Sequence, residues 1–181
     1  MRKANELHKK LPKRLKCAII LMKKFKQTGG QYMSETTLRG YQGIFFDEHT
    51  SKQLVSLQSN QLDEPVKDMH VTFKFGEIEM YPKEVMNKNI EVKLVSYGCD
   101  GKNSGFEVVL PKEIEERFYK GNKPIHVTVS IGSINGVKGK PVNTANLNFK
   151  PLKKTITIKG KLGYFIFGDG GGKKTDNSVF K

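Results

Sequence analysis

Two stretches of this chain have almost the same sequence, HVTFKFG at residues 70–76 and HVTVSIG at residues 126–132. In each stretch polar and apolar residues alternate, which is the pattern of a β-strand with one polar and one apolar face. The apolar faces should pack into a core. The polar faces should carry His70, Thr72 and Lys74 on the first strand, and His126, Thr128 and Ser130 on the second.

If the two strands lie together, these polar side chains converge on one site. Cleavage of a phosphodiester by water needs a base and an acid, and two histidines, His70 and His126, can divide that work at neutral pH. The hydroxyls and the amine on the same strand faces as the two histidines should bind the phosphate. They belong to Thr72, Thr128, Lys74 and Ser130. The sequence has no acidic cluster of the kind that holds Mg²⁺, so we expect neither a metal nor a cofactor.

The two His-x-Thr motifs resemble those of the two-histidine phosphoesterase superfamily, which includes the RNA 2′,3′-cyclic phosphodiesterases once called 2′-5′ RNA ligases. The likeness covers roughly residues 38–167. It implies an α+β fold, a two-lobed pseudo-symmetric domain whose antiparallel sheets line a central groove with helices outside. It also implies metal-independent hydrolysis of 2′,3′-cyclic phosphate ends of RNA or of related cyclic phosphodiesters. By this resemblance His126 is the base and His70 is the acid.

Two other functions fit the same residues. In the first, the same site hydrolyses cyclic nucleotide or oligonucleotide messengers. In the second, the chain is a non-catalytic basic RNA-binding protein. The presence of both histidines and both threonines favours an enzyme.

The charge of the chain favours a polyanionic partner such as RNA. The net charge is +14, and residues 1–28 contain ten Lys/Arg and one acid, Glu6, which gives +9 for that segment. Apolar residues at spacings of three and four predict a basic amphipathic helix there, which either contacts nucleic acid or docks by its apolar stripe. We therefore divide the chain into a helical arm at 1–30, the phosphoesterase-like domain at 38–167 and a flexible Gly/Lys-rich tail at 168–181.

Periodicity and turn residues predict the elements of the domain. We expect strands at 40–46, 70–76 and 126–132 and a hairpin of 90–97 with 105–110. We expect helices at 48–57, with Asp47 as its cap, and at 112–119, a long loop at 132–148, and a closing hairpin of 155–159 with 163–167.

The remaining features carry less weight. No apolar run is long enough for a membrane span or a signal peptide, and Cys17 and Cys99 form no CxxC pair, so we expect a cytoplasmic monomer with reduced thiols. His8 and His49 are predicted to be surface residues. The stretch at 168–175 lacks the spacing of a P-loop. Three tyrosines are candidates to stack on a base: Tyr41, Tyr97 and Tyr164.

Overall fold

Antiparallel strand pairing accounts for most of this fold. The structure is a computed structural model that describes residues 38–86, 88–168 and 173–176. The fold is of the mixed α+β class, and strands predominate because they contain 47% of the residues. The predicted arm at 1–30 lies outside the described residues, as do residues 169–172 and 177–181 of the predicted tail.

The described elements follow one another along the chain as listed here: β1 Arg39–Phe45, α1 Glu48–Ser56, β2 Glu64–Pro65, β3 His70–Glu77, α2 Lys83–Met86, β4 Ile90–Cys99, β5 Asn103–Val109, α3 Lys112–Phe118, β6 His126–Ile131, β7 Ser133–Ile134, β8 Val137–Lys138, a 3₁₀ helix Pro141–Asn146, β9 Lys150–Ile166 and β10 Lys173–Thr175. As predicted, Asp47 caps α1, and its carboxylate accepts a hydrogen bond from the backbone N–H of Thr50 at 2.7 Å.

Six strands close into a barrel-like sheet in the order β1-β3-β6-β5-β4-β9, and β9 pairs back to β1. The length of β9 makes the closure possible, because residues 150–160 pair with β4 and residues 161–166 pair with β1. Closure satisfies the backbone groups that an open sheet would leave at its edges. The two-lobed arrangement implied by the resemblance stays a prediction.

Apolar residues from all six strands fill the inside of the barrel. Ile44, Val71, Phe106 and Val127 are among those with no exposed surface. Helix α1 contributes Leu54 to the same cluster. The apolar faces predicted for residues 70–73 and 126–129 are therefore core faces.

The predicted closing hairpin of 155–159 with 163–167 is wrong, because β9 continues through the expected turn. The glycines that suggested a turn instead allow β1 to approach closely. A Cβ on Gly160 would lie 2.4 Å from Cγ2 of Ile44, and one on Gly163 would lie 3.0 Å from Cδ2 of Phe45. Glycine inside a strand often marks such a contact.

Two segments predicted to be irregular contain regular structure. Within the predicted loop at 132–148, β7 and β8 form a small hairpin around Asn135 and Gly136, both with positive φ, and a 3₁₀ helix follows. Within the predicted flexible tail, Lys173–Thr175 pairs with the end of β9. No described helix has the length and apolar character needed to cross a membrane.

The closure between β1 and β9 yields a test of stability. A Cβ on Gly40 would lie 1.8 Å from the carbonyl oxygen of Phe165. Gly40→Ala should therefore push the paired strands apart and lower the free energy of unfolding by about 1–3 kcal/mol. Urea denaturation measures the change, with Thr157→Ala at an exposed position of β9 as the control. A Gly40→Ala protein as stable as this control would contradict the close approach.

Candidate functional site

The two motif strands are neighbours in the barrel. Val71 of β3 pairs with Val127 of β6 in an antiparallel ladder, and both valines are fully buried. In such a ladder, the residue before one partner lies beside the residue after the other. His70 therefore lies next to Thr128, and Thr72 lies next to His126. All four positions are on the face of the sheet that points away from the core, which we call the outer face.

Both histidines are held in the same way. Nδ1 of His70 lies 2.7 Å from the carbonyl oxygen of Asp68, and Nδ1 of His126 lies 3.0 Å from that of Pro124, in each case two residues earlier. A carbonyl oxygen only accepts a hydrogen bond, so each Nδ1 carries the proton that it donates. Nε2 is then the nitrogen of each ring that remains for chemistry.

The surroundings of His70 favour its neutral form. Burial of the ring lowers the pKa of His70 below its ordinary value of 6.5, against the opposing effect of the hydrogen bond and charge of Asp68. The positive charges of His126 and Lys174 lower this pKa further. The two histidines are thus close enough for the charge of one to act on the other.

Aromatic rings cover His70. The ring of Tyr41 stacks on the imidazole with 4.5 Å between centroids, and Phe45 lies at 5.2 Å. Burial and the charge of Asp68 raise the pKa of Tyr41 to about 12, so its hydroxyl stays protonated at neutral pH. Of the three tyrosines considered for base stacking, Tyr41 is thus the one that contacts a motif histidine. Tyr164 is fully buried in the core, and Tyr97 lines a separate cavity of about 290 Å³.

A β-bulge follows the threonine of the first motif. Phe73 is the extra residue, because Thr72 and Lys74 pair with consecutive residues of β1. A bulge interrupts the two-residue alternation of a strand. Lys74 therefore lies across from the buried Gln42, and its amine pairs with Glu79. The prediction that Lys74 shares a face with the first histidine is wrong for this reason.

The second motif has a bulge at the equivalent position. Here Val129 is the extra residue, because Thr128 and Ser130 pair with consecutive residues of β5. Ser130 has no exposed surface, and its hydroxyl lies 2.6 Å from Oγ of Ser104 and 2.6 Å from Oε1 of Gln58. Ser130 thus belongs to a buried polar cluster, and the structure does not bring it to the outer face as the alternation predicted.

The two threonines differ in how open they are. Thr72 is exposed, and its hydroxyl makes no hydrogen bond with any residue that the structure describes. Thr128 is only 9% exposed, and its hydroxyl lies 2.9 Å from Oγ1 of Thr144 and 3.2 Å from the carbonyl oxygen of Pro141 in the 3₁₀ helix. Thr72 is therefore the hydroxyl that a ligand reaches directly.

Besides Asp68, two charged residues near the histidines were not selected from the sequence. Glu107 of β5 is the cross-strand neighbour of His126, and its carboxylate accepts a hydrogen bond from Oγ of Ser96 at 2.5 Å. Lys174 of β10 lies on the side of His70. A single acid within the apolar run FEVVL was a usable signal for Glu107, whereas Lys174 was in a segment predicted to be a tail. His70 thus has an anion, Asp68, and a cation, Lys174, acting on it, and His126 has Glu107 as its cross-strand neighbour.

Comparison with known proteins leaves this site to be interpreted from its own geometry. No family model matches the chain, and no curated protein is significantly similar to it in sequence. Among the residues described, no three or more His, Cys, Asp or Glu side chains are grouped so that they would hold a metal ion. What the arrangement offers is two imidazoles, one open hydroxyl and flanking charges.

The buried cluster around Ser130 predicts that removing this hydroxyl lowers the stability of the protein. Ser130→Ala leaves Ser104 and Gln58 with one partner fewer, so the free energy of unfolding should fall by about 1–3 kcal/mol. Ser133→Ala, at an exposed position two residues after the end of β6, should change the free energy of unfolding by less than about 0.5 kcal/mol. Urea denaturation of both variants measures the difference, and equal losses would contradict the buried cluster.

The lowered pKa of His70 has a direct test. In a proton NMR titration, the His70 ring of the folded protein should titrate below the midpoint of the histidines in the urea-unfolded chain. Because the folded state resists this protonation, the free energy of unfolding should fall as the pH drops from about 6.5 towards the folded pKa. His70→Asn should remove that part of the pH dependence. A folded midpoint at or above the unfolded one would contradict the effect of burial.

Proposed function

We propose that the protein is a phosphodiesterase that hydrolyses 2′,3′-cyclic phosphate ends of RNA, or related cyclic phosphodiesters, by acid and base catalysis without a metal ion. The observation that carries this proposal is the matched pair of histidines. Both lie on adjacent strands, both are fixed through Nδ1 by a carbonyl two residues earlier, and both leave Nε2 for chemistry. The resemblance of the motifs to two-histidine phosphoesterases supports the same reaction.

In the proposed reaction, water attacks phosphorus and one bond between phosphorus and a ribose oxygen breaks. One histidine Nε2 takes a proton from the water, and the Nε2–H of the other gives a proton to the ribose oxygen that leaves. The product is a phosphomonoester with a free hydroxyl next to it. After the step the two histidines have exchanged protonation states, and exchange with solvent restores them.

We assign His70 as the base and His126 as the acid, which reverses the roles taken from the resemblance. The base must be neutral before the reaction, and the lowered pKa of His70 favours that form. The other histidine, His126, is then the acid, and Glu107 is its cross-strand neighbour. The lowered pKa of His70 is the reason for the exchange of roles.

Thr72 is our candidate for the residue that contacts the phosphate directly, since its hydroxyl is open on the outer face. Thr128 contacts the 3₁₀ helix and is better suited to holding that helix beside the site. Lys74 and Ser130 are no longer part of the proposed phosphate site. A Thr hydroxyl and a protonated imidazole are both donors that suit the oxygens of a phosphate.

We also infer that the two motif strands belong to two halves of an approximately two-fold symmetric domain, the finer form of the α+β prediction. The same imidazole contact and a bulge at the same position after each histidine support this inference. A symmetric pair of strands needs asymmetric surroundings to divide the two roles, and Glu107 and Lys174 supply them.

The assigned roles predict how two variants differ. His70→Ala and His126→Ala should each lower kcat on a 2′,3′-cyclic nucleotide by about 10²–10⁴, because each removes one proton transfer. A diester with a nitrophenolate leaving group needs no acid. It should restore the rate of His126→Ala much more than that of His70→Ala. Steady-state kinetics on both substrates measure the pattern.

The control is His49→Ala on the exposed start of α1, which should keep the parent rate. Restoration of His70→Ala instead of His126→Ala would return the roles to those implied by the resemblance. A parent protein that binds RNA but turns over neither a cyclic nucleotide nor a cyclic-phosphate dinucleotide would replace the enzyme with a non-catalytic RNA-binding protein.

A further inference from the structure

The outer face carries more than the histidine pair. Tyr41 stacks on Phe165 with 4.8 Å between ring centroids, and the same group of rings continues to Phe167 and Phe75, which lie 5.4 Å apart. Cross-strand pairing places Phe75 beside Tyr41 and Tyr41 beside Phe165. The row begins at His70 and runs across β3, β1 and β9.

Two rings of this row are open to solvent. The exposed fraction is 71% for Phe75 and 45% for Phe167. The alternation of β3 would have buried Phe75, but the bulge at Phe73 turns it outwards. Two neighbouring exposed rings at the edge of a stack are what a ligand with a flat ring of its own would contact.

Lysines lie along the other side of the same face. Lys161 is the cross-strand neighbour of Phe45, which in turn is the neighbour of His70, so Lys161 is two strand spacings, about 10 Å, from the histidine. The ammonium of Lys174 lies 5.3 Å from the centre of the Phe45 ring. Both lysines line an open cavity of about 820 Å³ that includes Phe45 in its wall.

The charge of this cavity decides what it favours. Its lining includes three lysines, with Lys159 added to the two above, and two acids, Asp47 and Asp176. Lys159 lies 3.9 Å from Glu91, and the charge of Lys174 acts on Asp47, the cap of α1. Lys161 is exposed, and it is the lysine of this lining that is left for an anionic group.

We propose that the outer face of β3, β1, β9 and β10 binds a single-stranded polynucleotide, with a base against Phe75 and Phe167 and a phosphate at Lys161 and Lys174. Sequence-independent single-strand sites combine these two elements, aromatic rings under the bases and cations along the backbone. The proposal rests on the proposed function only in that the reacting end would lie at His70 and His126. The substrate is then an RNA strand, held beyond its terminal nucleotide.

Binding is measured first, with a labelled single-stranded RNA of about ten nucleotides that ends in a hydroxyl and cannot react. The double variant Phe75→Ala, Phe167→Ala should weaken binding by about 5- to 100-fold. Phe75→Tyr with Phe167→Tyr keeps the ring faces and should keep the affinity. Val137→Ala, an exposed apolar position in the β7–β8 hairpin, is the control.

The lysine part is tested by the salt dependence of the same binding. Lys161→Gln should reduce the slope of log Kd against log salt by about 0.7, the value for one phosphate contact on a single strand. Lys153→Gln, an exposed lysine of β9 outside the cavity lining, should leave the slope unchanged.

Kinetics connect the surface to the reaction. The parent should have a higher kcat/KM on an RNA oligomer ending in a 2′,3′-cyclic phosphate than on a 2′,3′-cyclic mononucleotide. The phenylalanine-to-alanine variant should lose this preference while keeping the rate on the mononucleotide.

The proposal is overturned if these alanine variants bind RNA like the parent, if the tyrosine variants bind as weakly as the alanine ones, or if a duplex of the same sequence binds as tightly. Binding that depends on these residues without any cyclic phosphate hydrolysis would uphold this surface and end the proposed function. Hydrolysis with equal kcat/KM on the oligomer and the mononucleotide would uphold the proposed function and overturn the role of this surface.

Discussion

The pairing of Val71 with Val127 is the contact on which the arrangement of the outer face depends. Both side chains are fully buried, and moving either strand by one residue would place a valine in water and a histidine or threonine in the core. Burial of the two valines therefore fixes the register of β3 against β6. With that register set, the two imidazoles lie on the same face without any direct bond between them.

Two adjacent imidazoles do not easily carry a charge each, so the surroundings of the pair determine where a proton rests. Burial and the charges of His126 and Lys174 lower the pKa of His70 against the opposing effect of Asp68, whereas Glu107 is the cross-strand neighbour of His126. These two residues come from β10 and β5, outside the repeated motifs. The repeat thus supplies two equivalent groups, and the rest of the barrel makes them different.

Local patterns predicted the two motif strands, α1 with its Asp47 cap, α3 and the hairpin of β4 with β5, because each depends on residues close together in sequence. The same alternation placed Lys74 and Ser130 on the wrong face. A bulge arises from how a strand pairs with its neighbour, and the sequence of one strand does not contain that information. The turn predicted at Gly160 was wrong for a similar reason, because this glycine allows a close contact between β9 and β1. Glu107 and Lys174 reach the histidines only through tertiary pairing.

Strand β10 has a consequence for solubility as well as for charge. It pairs with residues 164–166 of β9, on a segment whose other side is already paired with β1. Without it, the N–H and C=O groups along this side of β9 would form an exposed edge next to a group of aromatic rings, which is the combination that recruits strands from other molecules. The segment that brings Lys174 to His70 therefore also shields the barrel against self-association through β9.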